Sequence, residues 1–260
     1  MLTFWGVAFI ALGTYIGYLG TSFQREIAHS VSLSETLPRD GDVSDRYDRT
    51  ARTFDADVEL SERAMFMGSK RRDLIREARG EVLEVSCGTG RNVRYYGEKG
   101  VQRWRGLRFV DLSPEMVEVT KERVEEVGLG EGTGQRVVVA VGDAGEEGRP
   151  QTGRGYYDTV IQTMGICSMK DPVATLKHLG TITEPQNGRI LLLEHGRSHY
   201  GWLNEILDDL AAGHADRHGC WWNRDIGEIV RESGLEVVEE KRWHLGTTWR
   251  YVLRPVDRKK

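Results

Sequence analysis

Residues 81–90, with the sequence EVLEVSCGTG, decide the fold of this chain. The run Val82–Val85 is short and largely apolar, which predicts a buried strand of a parallel sheet. It leads directly into a glycine-rich turn that ends at Gly90. Glycine has no side chain, so such a turn lets the backbone come very close to a ligand. The stretch therefore predicts a strand, a ligand-contacting turn and a helix that begins around residues 91–92.

A second strand follows at the spacing that an adenosine-binding βαβ unit requires. Leu107–Val110 is apolar and ends in Asp111. In such a unit, a carboxylate after the second strand hydrogen-bonds to the ribose hydroxyls. A dinucleotide fingerprint, G-x-G-x-x-G, would need its last glycine at the position of Arg91 or Val93. The spacing therefore excludes a nicotinamide-dependent oxidoreductase and favours a different adenosine ligand.

The rest of the chain continues the alternation of strands and helices. Apolar runs at residues 137–141, 159–163 and 189–193 predict three more strands. Residues 236–254 predict a β-hairpin that turns at Gly246. We therefore predict an α/β fold with a doubly wound, seven-stranded, Rossmann-like sheet. Further helices are expected at residues 59–79, 172–182 and 202–215.

Composition and charge narrow the class of protein. The chain has 260 residues, of which 39% are hydrophobic and 29% charged, as in a packed domain with room for an appendage. Its net charge of −4 argues against a nucleic-acid-binding surface. The cysteines Cys87, Cys167 and Cys220 are far apart and form no C-x-x-C pair, so neither disulfides nor structural zinc are expected. His214 and His218 share a helical spacing but lack an apparent third ligand, so we predict no metal.

The N-terminus predicts a membrane anchor. Residues 2–20 carry no charge, and as a helix they are roughly 28 Å long, close to the hydrocarbon thickness of a bilayer. A cleaved signal peptide would open with basic residues, which are missing; a buried core helix is the other alternative. Trp5 and Tyr18 resemble interfacial anchors, and Gly13 and Gly17 have the spacing of self-associating helices. The lipid bilayer is therefore a predicted partner.

Four segments follow from these patterns. We predict a transmembrane anchor at residues 1–20, a polar tether at residues 21–45, a folded domain at residues 46–256 and a basic tail at residues 257–260.

Three motifs resemble those of S-adenosylmethionine (SAM) methyltransferases. Residues 84–90 are similar to the E-x-G-x-G-x-G motif of the class I enzymes, with Ser86 where most have glycine. Residues 110–116, VDLSPEM, are similar to the D-x-S-x-x-M segment of the superfamily. Residues 47–55 resemble a segment that precedes the sheet in the ubiquinone/menaquinone-biosynthesis methyltransferases.

A narrower resemblance joins distant parts of the chain. Residues 83–92, 193–196 (LEHG) and 219–223 (GCWWN) resemble the fungal mitochondrial inner-membrane methyltransferase-like family, which is related to the animal alkyl-thiol methyltransferases. The resemblance implies SAM as the cofactor. It also implies a single-pass location in the mitochondrial inner membrane, with inner-membrane proteins as partners.

The same resemblance assigns cofactor contacts. It implies that the glycine turn cradles the methionine part, Asp111 binds the ribose, and Leu112 lies against the adenine. It further implies that Asp143 reads the adenine edge and Gln162 lines the methyl-transfer site. The positions that match the family's cofactor-binding residues are Glu84, Ser86, Cys87, Gly88, Gly90, Asp111, Leu112, Asp143, Ala144 and Gln162.

The acceptor is less defined by the sequence. His195 ends the fifth predicted strand and is a candidate general base, although a lone histidine is more often structural. Methyl transfer from a sulfonium mainly needs alignment and a dry site. We therefore predict a membrane-anchored SAM-dependent methyltransferase that acts on a small or membrane-associated acceptor. The alternative is an assembly or scaffold factor with little turnover, which Ser86 favours and the intact Asp111 and Asp143 oppose.

Overall fold

The computed structural model describes residues 4–39, 41, 43–98, 103–132, 134–151, 153 and 155–256. The strands are β1 (Gly80–Val85), β2 (Trp104–Asp111), β3 (Arg136–Val141), β4 (Thr159–Thr163), β5 (Arg189–His195), β6 (Glu236–Trp243) and β7 (Thr248–Arg254). The helices are α1 (Phe4–Ser34), α2 (Ser44–Thr50), α3 (Phe54–Ala64), α4 (Met67–Ile75), α5 (Val93–Tyr96), α6 (Pro114–Val127), α7 (Pro172–Ile182), α8 (Gly201–His218) and α9 (Ile226–Ser233).

The seven strands form one sheet in the order β3-β2-β1-β4-β5-β7-β6. Strands β1 to β5 pair in parallel, whereas β7 runs antiparallel to both β5 and β6. This confirms the predicted α/β sheet with its terminal hairpin. The strand order reverses between β1 and β4, and open α/β sheets bind ligands in the crevice beside such a reversal.

Successive residues of the central strands point to opposite faces of the sheet, as strand geometry requires. Val82 packs into the core on the side of α4 and α5, whereas the next residue, Leu83, packs on the side of α7 and α9. Leu191 and Leu192 divide in the same way. The sheet is therefore covered by apolar side chains on both faces, which explains its continuous hydrophobic strands.

The helix predicted at residues 59–79 is in fact two helices. Phe66 has a φ of +52° between α3 and α4. A left-handed residue cannot continue a right-handed helix, so the chain changes direction there. As a result, α3 lies against the glycine turn, where its Asp55 accepts a hydrogen bond from the Thr89 hydroxyl at 2.7 Å.

The segment predicted as a tether begins as helix. Helix α1 continues to Ser34, and its later turns pack on α8. The Ser30 hydroxyl accepts a hydrogen bond from the Gly213 amide at 3.1 Å, and Glu26 pairs with Arg217 at 2.6 Å. The contacts with α8 stabilise helical structure over residues that lack a clear periodicity of their own.

Within the described part of the chain, no helix combines the length and apolarity needed to cross a bilayer. Residues 1–3 of the predicted span lie outside the description, as do the side chains of residues 4–7, 10 and 11, including the proposed anchor Trp5. The predicted basic tail at residues 257–260 also lies outside it.

Candidate functional site

The glycine turn after β1 is locked by its own hydrogen bonds. The Gly90 amide donates to the Cys87 carbonyl at 3.0 Å, and the Thr120 hydroxyl donates to the Gly88 carbonyl at 2.7 Å. Gly90 has a φ of +72°, and a Cβ there would lie 3.0 Å from the Thr120 hydroxyl. The turn thus depends on glycine both for its backbone conformation and for its packing against α6.

Gly88 faces open space. Its φ is +56°, and no atom lies within 4 Å of the position that a Cβ would occupy. A side chain there would fill the space above the turn, so glycine keeps a cradle that another molecule's atoms can enter. The neighbouring Cys87 is buried instead, and it lies in the core beside Val93.

Asp111 holds the cradle from the end of β2. One of its carboxylate oxygens accepts a hydrogen bond from the Gly88 amide at 2.8 Å, and the other accepts from the Ser113 amide at 3.0 Å. Burial raises the pKa of Asp111, while these backbone hydrogen bonds oppose the shift. Leu112 follows with its side chain 48% exposed, which provides apolar surface beside the carboxylate. The predicted ribose and adenine contacts are therefore adjacent to the glycine turn.

Asp143 and Ala144 lie after β3, the neighbour of β2 in the sheet. Asp143 is exposed, and its carboxylate accepts a hydrogen bond from the Gly145 amide at 2.7 Å. Ala144 is buried against Val110 in the core. The structure therefore brings both residues to the same edge as Asp111, as their predicted roles require.

Gln162 ends β4 beside the turn. Its side chain is fully buried, and its Oε1 atom has no hydrogen-bond partner. A Cβ on Gly165 would lie 2.7 Å from the Ser86 Cβ and 2.9 Å from the Gln162 Nε2, so these three residues are in close contact. A buried amide oxygen without a donor is unfavourable, and it fits a site that receives a polar ligand group.

Ser86 occupies a glycine-like conformation. Its φ is +50°, a region that costs an L-residue roughly 1–2 kcal/mol. The departure from the glycine of most class I enzymes therefore introduces backbone strain at the start of the turn, in addition to its side chain beside Gln162.

Glu84 lies beneath the turn rather than in the cradle. It is 2% exposed, and its carboxylate accepts hydrogen bonds from the Tyr96 hydroxyl at 2.6 Å and the Asn92 amide at 3.0 Å. Burial raises the pKa of Glu84 to about 7, although both hydrogen bonds lower it. In this structure Glu84 supports the turn from inside, which differs from direct contact with a cofactor.

Two acids before the sheet complete the site, although the sequence pattern gave them no role in it. Asp55 of α3 accepts a hydrogen bond from Arg91 at 3.0 Å and also pairs with Arg123. Asp48 of α2 accepts a hydrogen bond from the Ser113 hydroxyl at 2.5 Å. Both acids fall in residues 47–55, so the resemblance of that segment was the signal that could have found them.

His195 does not stand alone at the end of β5. Its Nε2 atom lies 2.9 Å from the Sγ of Cys220, and Cys167 completes a group whose ligand-type atoms all lie within 4.8 Å of one another. We call Cys167, His195 and Cys220 the Cys–His cluster. Its three members belong to distant segments of the chain, so no local sequence motif contains them together.

The remaining candidates in this region pack as core. Trp221 is 4% exposed and packs against Ala211 and Ala215 of α8 as part of a small core. His214 stacks on Trp222 with ring centroids 3.9 Å apart, and burial lowers its pKa to about 3. Among the described residues, the Cys–His cluster is the single group of three or more side chains arranged as metal ligands.

Comparisons with known proteins agree with this geometry. The sequence pattern of the methyltransferase-domain family matches residues 55–240. The chain is 38% identical over 229 residues to the mitochondrial methyltransferase OMS1 of Saccharomyces cerevisiae, covering 84% of this chain and 47% of that protein. It thus spans about half the length of that relative.

Two further proteins are similar to this chain. The thiol S-methyltransferase TMT1A of Homo sapiens is 26% identical over 202 residues, covering 72% of this chain and 75% of that protein. The structure of an O-methyltransferase family protein from Burkholderia thailandensis has a TM-score of 0.58 at 16% identity, covering 80% of this chain and 60% of that one. At this identity, the structural match supports the fold.

Proposed function

Because this chain belongs to the family of SAM-dependent methyltransferases, whose cofactor is SAM, we propose that it is a mitochondrial enzyme that methylates a small or membrane-associated thiol. The observation that carries the proposal is the open cradle above Gly88, which Asp111 anchors by a hydrogen bond at the reversal of strand order. The mitochondrial location is proposed from the yeast relative, and the thiol in part from the human one.

The residues around the cradle fit SAM. Gly88 would leave room for the methionine part, Asp111 would hold the ribose hydroxyls, and the exposed Leu112 would lie against the adenine. Asp143 would contact the adenine edge, and the unpaired oxygen of Gln162 would accept a hydrogen bond from a polar group of the ligand. When bound, SAM supplies a methyl group activated by a sulfonium sulfur.

The proposal of a thiol as the methyl acceptor rests on the contacts of the predicted general base, His195. His195, the predicted general base, contacts Cys220 at 2.9 Å, so its imidazole is already engaged; its catalytic role stays a prediction. A thiol, with an ordinary pKa near 8.5, needs little help to ionise at neutral pH. Gln162, at the end of β4, and Ser86, in the glycine turn, pack closely around Gly165 and would exclude water from the methyl transfer.

We also propose that residues 2–20 form a membrane anchor next to a domain at residues 46–256. In the first half of α1, large apolar side chains are exposed, among them Phe9, Leu12 and Ile16. A contiguous exposed apolar surface of this kind is typical of a membrane or partner contact. Vesicle co-sedimentation of the full chain, with Leu12→Lys/Ile16→Lys as the variant, tests this: loss of binding supports the anchor, and unchanged binding contradicts it.

Product formation tests the proposed activity. The full chain is incubated with SAM and either an alkyl thiol, a phenol or phosphatidylethanolamine vesicles, and S-adenosylhomocysteine is measured by mass spectrometry. We expect product with the thiol and loss of product in Asp111→Ala. Product with another acceptor alone would contradict the thiol assignment. SAM binding without product from any acceptor would favour the assembly factor.

A further inference from the structure

The Cys–His cluster is assembled from three elements at the carboxyl edge of the sheet. Cys167 lies in a 3₁₀ turn, Ile166–Ser168, shortly after β4. His195 is the last residue of β5, and Cys220 follows the end of α8. Their two sulfur atoms and one ring nitrogen lie within 4.8 Å of one another.

The backbone around the cluster holds these elements together. The Trp221 amide donates a hydrogen bond to the Cys167 carbonyl at 3.1 Å, which joins the two cysteine-bearing segments directly. The buried carboxylate of Glu194 accepts hydrogen bonds from the amides of Gly165 and Ile166 at 3.4 and 3.3 Å, at the start of the 3₁₀ turn. The mutual approach of the ligand atoms is therefore built into the fold.

Tyr47 lies against the cluster. A Cβ on Gly219 would be 2.9 Å from the Tyr47 ring, so only glycine fits before Cys220. The Tyr47 hydroxyl contacts the Ser168 hydroxyl at 2.5 Å. Both cysteines of the cluster are buried and His195 is half-buried, and Tyr47 packs beside the two cysteine-bearing segments.

Two thiolates and an imidazole are a ligand set that suits Zn²⁺. Zinc binds cysteine sulfur at about 2.3 Å and histidine nitrogen at about 2.0–2.1 Å in a tetrahedral arrangement. Neighbouring ligand atoms are then roughly 3.5–3.8 Å apart. The separations here, 2.9 Å between His195 and Cys220 and at most 4.8 Å overall, differ from those values by about an ångström or less.

The burial of the cluster also favours a bound metal ion. Cys167 and Cys220 are 1% and 4% exposed, and the carboxyl group of Glu194 is fully buried beside them. Buried thiolates without a compensating charge are costly, and a divalent cation would neutralise both.

We propose that Cys167, His195 and Cys220 bind one Zn²⁺ ion. Both thiols release their protons to solvent on binding, and the neutral imidazole coordinates through its nitrogen. Three protein ligands leave the fourth tetrahedral position to water or to a donor atom of another molecule, as in catalytic zinc sites. This site is separate from the cradle, and its occupancy does not depend on methyl transfer.

Metal analysis of the purified full chain tests the proposal. Cells are grown with zinc, and the bound metal is measured by plasma mass spectrometry after extensive dialysis without chelator. We expect about one zinc ion per chain, and loss of that zinc in Cys167→Ser and in Cys220→Ser. Cys87→Ser is the matched control, because Cys87 is a buried cysteine outside the cluster and its variant should keep the metal.

A second measurement guards against misfolded variants. Cobalt substitution of the wild-type chain should produce the intense near-ultraviolet absorption of thiolate-to-cobalt charge transfer. Trace zinc in the wild type, or zinc that both cysteine variants retain, would overturn the proposal. A Co²⁺ form without the thiolate absorption, or a disulfide between Cys167 and Cys220 in the purified protein, would overturn it as well.

Discussion

The cradle and the Cys–His cluster lie at the same edge of one sheet, yet they are encoded differently. The cradle is formed within residues 81–111, by a turn and the next strand end. The cluster joins residues 167, 195 and 220, which meet only after β4, β5 and α8 have packed. A site made of backbone conformations is visible as a local motif, whereas a site made of converging side chains depends on long-range structure.

Filling the cradle gives the largest expected effect. Gly88→Val should reduce SAM affinity by roughly a hundredfold or more, because its side chain occupies the open space above the turn. Gly132→Val is the matched control: Gly132 has a φ of +66°, also with no atom within 4 Å of its Cβ position, but lies in a loop outside the site. Calorimetric titration of both variants measures the difference. Equal losses of SAM affinity in the two variants would mean that backbone strain at a positive φ, and not a blocked cradle, is responsible.

Glu84, which lies beneath the cradle, should make the stability of the protein depend on pH. Its folded-state pKa of about 7 lies above its ordinary value of 4.5, so its contribution to stability is full below pH 4.5 and is lost as the pH rises through 7. The loss amounts to about 3 kcal/mol. Glu84→Gln should therefore show a flatter decline in the free energy of unfolding between pH 5 and pH 8.

Unfolding titrations with guanidinium at pH 5 and pH 8 measure this decline in the free energy of unfolding. The exposed Glu236→Gln variant is the control and should follow the wild type. A Glu84→Gln protein that declines in parallel with the wild type would show that Glu84 is not the buried acid responsible.

The next prediction concerns the close packing of Tyr47 beside the Cys–His cluster. Gly219 and Gly234 both end helices with a φ of +71°. The Cβ position of Gly219 lies 2.9 Å from the Tyr47 ring and 3.3 Å from the Val43 Cβ, whereas no atom lies within 4 Å of that position in Gly234. Alanine at either position costs about 1 kcal/mol for its conformation, and Gly219→Ala should cost about 1–2 kcal/mol more. Chemical unfolding measures both values. Equal costs would contradict close packing of Tyr47 on the cluster.

Ser86 gives the smallest expected effect. Ser86→Gly removes strain at a φ of +50°, while glycine adds entropy to the unfolded chain, so we expect a net gain of about 0.5 kcal/mol in unfolding free energy. Ser61→Gly, in the exposed part of α3, should instead destabilise by about 0.5 kcal/mol. A loss of stability in Ser86→Gly would indicate that the serine side chain contributes contacts that outweigh its strain.

The sequence predicted what depends on local pattern. The strand at residues 159–163 and the helix at residues 172–182 have the predicted bounds. In the structure the Asp171 side chain caps this helix and Pro172 is its first residue, so the sequence beside the helix determines where it begins. The extension of α1 depends on its contacts with α8, which lies far away in the sequence. The left-handed conformation of Phe66 occurs at a residue other than glycine, so no local signal marked the break between α3 and α4.

The same difference between local and long-range signals applies to the residues of the candidate site. Gly88, Asp111 and Leu112 lie where the motif predicts. The hydrogen-bond partners of the buried Glu84 could not be predicted, because the next helix brings Tyr96 and Asn92 beneath the turn. The partners of His195 were also missed, because the cysteines beside it follow other elements of the fold.

The central claim is that the cradle at the ends of β1 and β2 binds SAM. Calorimetric titration of the full chain with SAM, and separately with NAD, tests it most directly, with Asp111→Ala as the variant. We predict saturable micromolar binding of SAM alone, and a loss in affinity of roughly tenfold or more in Asp111→Ala at unchanged circular dichroism. A well-folded wild-type chain that binds no SAM, or binds it equally well without Asp111, would contradict the claim.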